Sequence, residues 1–538
     1  MSDRLRSKGF CLLLAALGGL LTGLTLVMPR ALGWMEWLSP ALAVPLLRRL
    51  SRDDESRRRY ARAWRGGFVF FFPLYLVVFH WFCALYPLPF AGFSEEIAAL
   101  VVLVAWFGTA LFQSIGMAFC FVAIVLLWRM PWVRRHPVIS PLSAAAVLTL
   151  AEWMQRLGWF GVPWGRFALG QVAYLPFVQT ASLFGCYGIT FLIFAVSVAL
   201  GELFLSPKCL RRSLGVMISA LFVGNLAIGG VLLAVDENRK PVETVQVGMV
   251  QSNFSTFSKW NMTASEAVAV YLEYMASLSE RNVDMILLPE TAFPFFLQDY
   301  SKYQIPIHTL AREGDMTIFA GAFTYDEEGG EYSSVLTYHA DGSVDDLIYN
   351  KRRLVPFGEF VPMRKIVTTL IPPLAELNLW ENDLSAGESA TVVETEQGAF
   401  GFLICFDSVF ETLARESTQN GAELLLLATN DSWFLDSAAV YMHLNQARLR
   451  AIECGRCVIQ AANTGISAII TPTGQISEAL APLEEGLVCG EADLYEHQTL
   501  YVLLGNWLVW CCIGLILVPP MDKIVSYARR RLDKTRKK

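Results

Sequence analysis

Charge is what this chain has least of. Asp, Glu, Lys and Arg make up 17% of its 538 residues, where soluble domains carry about 25%. Hydrophobic residues reach 54%, so a disordered chain is excluded and a membrane is indicated. Histidine is scarce as well: the six present show neither an HExxH pair nor ligand-like spacing, so no metal site and no cofactor are expected. The first apolar run ends near Met28 without a small-x-small cleavage signal, and is read as a retained helix, not a signal peptide.

The net charge of -6 hides two opposed populations. Residues 236–498 hold 15 basic and 38 acidic side chains, while the remainder holds 28 and 11. Eight apolar runs approach the ~20 residues a membrane-crossing helix needs: 10–28, 31–47, 67–86, 97–128, 138–155, 187–205, 214–235 and 500–519. Glu36 and two prolines interrupt the second, and the fourth is long for one upright span. Lysines and arginines stay on the cytoplasmic side of short connections. Arg4 to Lys8, Arg48 to Arg65, Arg129 to Arg135, Lys208 to Arg212 and the tail from Lys523 all fall on one side of an eight-span arrangement. The other side of the membrane portion receives only Arg30, Arg156 and Arg166. Both termini are therefore expected in the cytoplasm. The expected organisation is a seven-helix membrane domain at 1–235, an outer catalytic domain at 242–495, an eighth span at 499–520 and a basic tail at 521–538. The same rule accounts for Arg57, Arg58 and Arg59, so no nucleic-acid partner is expected.

Within the acidic block the pattern changes to short β-rich segments alternating with amphipathic ones, the mark of a layered α/β domain. Strands are expected at 244–251, 284–288, 316–323, 334–338, 399–405, 423–428, 457–461 and 466–471. Helices are expected at 265–280, 307–312, 408–418 and 440–454. Ligands in such folds bind where strands end. Met285 to Glu290 ends in a carboxylate, Gly401 to Cys405 in a thiol, and Leu424 to Asp431 in an amide and an acid; Lys351 follows a further strand and Glu359 lies eight residues on.

These groups suffice for acyl transfer. A cysteine at a helix N-terminus beside a cation is a stabilised nucleophile, which is the setting expected for Cys405. Glu290 is the matching general base, and Lys351 the cation for the oxyanion of a tetrahedral intermediate.

The strings LLPETAFP (from Leu287), YNKRRLVPFGEFVP (from Tyr349), ICFD (from Ile404) and TNDSWF (from Thr429), in this order, resemble the carbon-nitrogen hydrolase (nitrilase) superfamily. With seven spans before and one after, the chain resembles its membrane branch, the apolipoprotein N-acyltransferase family. The resemblance implies an αββα catalytic sandwich attached to an eight-helix membrane domain in the bacterial inner membrane, with the sandwich on the periplasmic side. It implies a phospholipid acyl donor, a diacylglyceryl-cysteine apolipoprotein acceptor, and a thioester on Cys405 between two half-reactions. It further implies Glu290 as base, Lys351 as oxyanion lysine, Glu359 as a supporting acid and Trp260 as a residue near the lipid. The family usually has Tyr and Glu after the nucleophile; here Phe406 stands at a substrate-binding position and Asp407 at a supporting one. Ser333 replaces an expected Asn.

The same triad would serve a membrane-tethered amidase or nitrilase, and a transporter or scaffold with a degenerate outer domain is the reading from another class. Apolar stretches at 293–297, 371–380 and 433–434 are expected as lids reaching the membrane interface. Cys454 and Cys457 have dithiol spacing but are read as packing residues, and His443 as structural. His80, Glu152 and Glu202 are ionisable residues within spans. Gly19 and Gly23 form a GxxxG that favours close helix contact.

Overall fold

The computed structural model describes residues 7–53, 58–88, 94–158, 161–345, 348–370 and 383–536; the side chains of residues 256, 257, 260, 367, 368, 370 and 526–536 are also outside that description. Among the described residues, six helices are long and apolar enough to cross a membrane: Lys8–Val27, Arg59–Leu85, Glu95–Trp128, Cys186–Leu205, Lys208–Glu237 and Trp507–Val525. Two of the eight expected runs take other forms. Residues 31–47 are broken by Pro40 and Pro45, which lack the N–H a helix needs, into short turns followed by the helix Val44–Arg52. Glu36 is drawn inward there, accepting from Gln171 Nε2 at 2.7 Å. The fifth run forms Ile139–Met154, 16 residues, short of a full span.

The helices are labelled in chain order as α1 (Lys8–Val27), α2 (Val44–Arg52), α3 (Arg59–Val78), α4 (Glu95–Trp128), α5 (Ile139–Met154), α6 (Cys186–Leu205) and α7 (Lys208–Glu237). Gly19 and Gly23 let α1 close on α3: a Cβ on Gly19 would lie 1.7 Å from the Phe70 carbonyl oxygen, and one on Gly23 2.8 Å from that of Leu74. Glu152 accepts from the Phe167 amide and Thr190 Oγ1, both at 2.7 Å, and Glu202 pairs with Arg48. Both are therefore tied into helix packing, while His80 is exposed and bonded only locally, to Val77 O.

The acidic block forms two facing sheets. In chain order the strands are β1 (Glu243–Gln251), β2 (Met285–Leu287), β3 (Phe293–Phe296), β4 (Thr317–Tyr325), β5 (Glu331–Tyr338), β6 (Tyr349–Asn350), β7 (Val392–Thr395), β8 (Gly398–Ile404), β9 (Leu424–Thr429), β10 (Val458–Ala462), β11 (Ser467–Ile470), β12 (Ile476–Leu480) and β13 (Gly486–Leu494). One sheet runs β13-β1-β2-β4-β5-β6 with β3 beside β4, and the other runs β12-β11-β10-β9-β8-β7. Parallel pairs, β1 with β2 and β2 with β4 in the first, β8 with β9 and β9 with β10 in the second, lie at the centre of each.

Strand alternation builds the layers. Leu424, Leu426 and Ala428 of β9 share an apolar layer with Val247, Leu287 and Phe319 of the facing sheet. Leu425 and Leu427 point the other way, into a layer shared with the helices α10 (Glu411–Gln419) and α11 (Ala438–Cys454), which follow α8 (Ala264–Ser279) and α9 (Ser301–Glu313) of the opposite outer layer. The layer formed by α10 and α11 is continuous with the membrane helices, sharing one apolar core with Phe194 and Val198 of α6. The last helix, α12 (Trp507–Arg536), leaves from the same region. This is an αββα sandwich whose second helical layer rests on the helix bundle.

Candidate active site

Three strand ends converge. After β2 the chain turns through Pro289 and Glu290 into Thr291, whose φ is +49°. The turn is close against β4: a Cβ on Gly321 would lie 2.2 Å from Pro289 O and 3.1 Å from Glu290 Cα. After β6 comes Lys351, its amide donating to Ser333 O at 2.8 Å. After β8 comes Cys405, φ +48°, opening a short 3-10 turn, Cys405–Val409.

Asp407 fastens the second of these ends to the third. Fully buried, it accepts from the Ile404 amide at 3.1 Å within its own turn and from Tyr349 Oη at 2.9 Å. It also accepts from the amides of Arg353 at 2.7 Å and Arg352 at 3.2 Å. The aspartate therefore joins the Cys405 turn to the segment carrying Lys351. Phe406 faces away from these polar groups and packs against Trp164 and Phe410.

Lys351 Nζ donates to Glu290 Oε1 at 2.8 Å and to Glu359 Oε1 at 2.5 Å, with Lys351 1% exposed. Glu359 Oε2 is itself held by the Val355 amide at 2.7 Å. Burial alone would lower the Lys351 ammonium, but the two carboxylates outweigh it and hold it well above the ordinary lysine value. Burial raises the Glu359 carboxyl despite Lys351. The Cys405 thiol is pushed well above its usual value by burial and then by Glu290, with Lys351 opposing. The expectation of a thiolate stabilised by helix and cation is thus corrected. The turn is only five residues long, and two carboxylates pair with the one lysine beside it, so Cys405 is not at the N-terminus of a long helix and its surroundings do not favour a thiolate.

His443 has a defined place under this turn. Its Nε2 lies 3.1 Å from Cys405 O and 2.9 Å from Ser408 Oγ, and its Nδ1 lies 2.8 Å from Asp431 Oδ1. A carbonyl only accepts, so Nε2 carries hydrogen and is not free to take the thiol proton. Burial would lower the imidazole, but Asp431 outweighs it and the value is raised. Cys405, Asp431 and His443 bring ligand-type atoms within 4.8 Å of one another, and His443 Nδ1 and Asp431 Oδ1 are hydrogen-bonded to each other at 2.8 Å.

Lys259 is a residue the sequence reading passed over. It is buried, and its Nζ donates to the Glu290 carbonyl oxygen at 2.8 Å. Burial brings its ammonium down to about 7, with Glu290 and Cys405 opposing. The available signal was a lysine in an otherwise uncharged stretch just beyond β1. The neighbouring Trp260 belongs to the helix Thr256–Asn261, but its side chain lies outside the described residues. Ser333 is buried, and its hydroxyl has no hydrogen-bond partner among the described residues.

Of the expected lids, residues 371–380 lie outside the described residues. Residues 293–297 contain β3, with Phe293 and Leu297 buried. Phe434 packs on Trp81 and Trp164 of the membrane domain, with centroids at 5.0 and 5.7 Å. Trp164 also lies 5.8 Å from the His443 ring. Cys454 and Cys457 are both free and buried, with burial raising their thiols to about 11 and about 12. They pack in different cores, on opposite faces of the second sheet.

A second polar cluster fixes the sandwich to the helices. Arg166, fully buried, donates to Glu411 Oε2 at 2.5 Å and to Val409 O at 3.0 Å, the last residue of the nucleophile turn. Arg156 and Asn506 both reach Glu411 Oε1 at 3.1 Å. Arg450 donates to Ser408 O at 3.1 Å and forms an ion pair with Glu453 at 2.7 Å; Glu453 in turn accepts from the Cys186 amide at 2.6 Å.

Two facing sheets with Glu, Lys and Cys at their strand ends, seated on apolar helices, define a membrane-attached relative of the carbon-nitrogen hydrolases. The chain matches the Carbon-nitrogen hydrolase family over residues 246–500 and the Apolipoprotein N-acyltransferase N-terminal domain over residues 18–199. A protein of Bradyrhizobium diazoefficiens named apolipoprotein N-acyltransferase is 30% identical over 413 residues, 74% of each chain. One of the same name from Geobacter metallireducens is 28% identical over 520 residues, 93% of each. Among solved structures, Saccharomyces cerevisiae Nit3, of branch 10 of the nitrilase superfamily, aligns with 47% of this chain and 91% of its own at 20% identity and a TM-score of 0.36. The chain belongs to the apolipoprotein N-acyltransferase family, and it is a membrane acyltransferase.

Proposed function

We propose that the enzyme takes an acyl chain from a membrane phospholipid onto Cys405 and passes it to the terminal amine of a diacylglyceryl-cysteine apolipoprotein. Glu290 takes the thiol proton as Cys405 Sγ attacks the ester carbonyl, and Lys351 faces the oxyanion. Collapse breaks the C–O bond, Glu290 returns the proton to the departing alkoxide, and lysophospholipid leaves. The acceptor amine then attacks the thioester, Glu290 takes its proton, and the thiol re-forms with that proton. Glu359 holds Lys351 in place, Asp407 fixes its spacing from the nucleophile, Phe406 forms part of the apolar wall, and Trp260 stands near the lipid.

The observation that carries this reading is the seating of the nucleophile turn on the membrane helices. Phe406 and Phe434 pack against Trp164 and Trp81, so the thiol sits beside an apolar surface continuous with the bundle. A donor chain can approach there without entering water, where each CH2 would cost about 0.8 kcal/mol. An amidase working on soluble amides has no need of that contact.

Eight spans, cytoplasmic termini and a periplasmic catalytic domain in the inner membrane complete the proposal. It is supported by the arginine distribution and by α7 leading directly into β1. The test is incubation of the purified enzyme with labelled phospholipid. A hydroxylamine-sensitive acyl adduct is expected on the native enzyme and absent from Cys405→Ala; an adduct of equal yield on the variant refutes the thioester. Labelling single cysteines with a membrane-impermeant thiol reagent checks the orientation.

A further inference from the structure

A fourth strand end feeds the site. After β1, residues 252–254 are gripped by Asn463, the first residue past β10: its Oδ1 accepts from Ser252 Oγ at 2.9 Å and from the Phe254 amide at 3.0 Å, and its Nδ2 donates to Phe254 O at 2.8 Å. Ser255 then opens the helix Thr256–Asn261, its Oγ accepting from the Ser258 amide at 3.1 Å and its carbonyl from the Lys259 amide at 2.9 Å. This path carries Lys259, 2% exposed, to the turn that follows β2.

There its Nζ donates to the main-chain oxygen of Glu290 at 2.8 Å, while Lys351 Nζ donates to the Glu290 carboxylate, also at 2.8 Å. Glu290 is thus held at both ends. The oxygen that Lys259 holds belongs to the peptide entering Thr291, whose φ of +49° is costly for a β-branched residue and persists only where its surroundings enforce it. We infer, on the reading of Glu290 as base and Cys405 as nucleophile, that Lys259 is a positioning residue for acyl transfer, clamping the strained Glu290 turn so that the carboxylate stays where the thiol proton is delivered.

Stability does not account for this lysine. Among the described residues its Nζ reaches one partner, an uncharged carbonyl. Burial outweighs Glu290 and Cys405, the two titratable groups that bear on it, and brings the ammonium from the ordinary 10.5 to about 7. A lysine that binds its proton more weakly folded than unfolded costs stability at pH 7 and below, a cost that fades as pH rises toward 10.5. Methionine, of similar length and with no charge to desolvate, would serve the fold better. A buried cation retained against that cost, beside the base and the nucleophile, marks a functional group. A protonated amine also makes the stronger hydrogen bond to a carbonyl, so the clamp is firm below about pH 7 and slackens above it.

The test compares the purified full-length enzyme with Lys259→Met, measuring single-turnover acylation of Cys405 by labelled phospholipid and thermal unfolding. A rate lowered roughly tenfold or more is expected, with unchanged half-saturating phospholipid and a melting temperature equal to the native value or higher. A rate within about twofold of native overturns the inference. So does a parallel loss of rate and stability, which defines a packing residue, or a raised half-saturating concentration at full maximal rate, which places Lys259 on the lipid. The pH profile separates clamp from packing a second time. The native rate is expected to fall as pH rises through about 7, and Lys259→Met to lack that step; a variant profile parallel to the native one overturns the clamp. If Lys259→Met fails to fold, Lys259→Gln, which keeps an N–H donor without the charge, is read by the same profile. Cys405→Ala and Glu290→Gln are run alongside. Native adduct yield in either refutes the acyl-transfer reading itself, whereas loss of adduct in both with no effect at Lys259 leaves that reading standing and removes only the clamp.

Discussion

Two buried ion clusters flank the nucleophile turn, and their proportions are opposite. On the catalytic side one ammonium, Lys351, serves two carboxylates, Glu290 and Glu359. On the membrane side Arg166, Arg156 and Arg450 surround Glu411, with Glu453 beyond. Excess acid keeps a proton in play: the Cys405 thiol and the Glu359 carboxyl are both raised. Excess guanidinium removes it at Glu411, though burial still raises the Glu453 carboxyl beyond. Burial would raise the Glu411 carboxyl, but Arg166, Arg156 and Arg450 outweigh burial and hold it at about 2. The first arrangement suits the proton exchange proposed for it, and the second ties the sandwich to the helices.

The comparison breaks most sharply at the two central cations. Lys351→Met removes the proposed oxyanion cation and leaves two acids facing each other, so single-turnover acylation should fall by roughly 10²–10³-fold or more. Arg166→Met leaves Glu411 short of its closest partner and should cost about 3–5 kcal/mol of stability in detergent unfolding. The double variant Arg166→Met/Glu411→Leu should recover part of that, which separates a binding cluster from a catalytic one. Gly321→Ala drives a methyl into the Pro289 carbonyl. It should cost about 1–3 kcal/mol, with a larger relative loss in acylation rate because the carboxylate of Glu290 moves.

Acid titration sharpens the contrast. Glu411 has its carboxyl depressed in the folded state from 4.5 to about 2, so its contribution is complete above pH 4.5 and is lost as pH falls toward 2, roughly 3 kcal/mol in all. Glu411→Gln should flatten that limb of the stability profile. The smallest effect is expected at Cys454→Ala and Cys457→Ala. Acylation should be unchanged, since neither thiol belongs to the site.

The catalytic cluster was legible in the sequence because each of its groups ends an apolar strand, where a polar residue is conspicuous. All eight expected strands are present, with ends shifted by up to three residues. The strands that were missed are of other kinds. Residues 476–480 form an edge strand exposed at its centre, Val392–Thr395 is a four-residue edge strand, Gly486–Leu494 mixes glycine and acids into its alternation, and Phe293–Phe296 was read as a lid. The binding cluster was not legible at all. Arg166 and Arg156 stand some 250 residues from Glu411 in the chain and meet it only where the helix bundle and the sandwich touch, and Arg166 counted merely as an exception to a topology rule. Lys259 was missed for a related reason: it reaches Glu290 through a backbone oxygen, which no side-chain pattern records.

Asp407 acts as a ruler. By gripping its own turn and the backbone of Arg352 and Arg353 at once, it ties the Cys405 turn to the segment carrying Lys351 through a single methylene arm. Replacing it with glutamate would keep a carboxyl group yet push the lysine segment outward by about 1.5 Å. The shorter acid and the loop opposite it are therefore a matched pair, and an exchange of either alone would leave the enzyme with every functional group present and the wrong spacing.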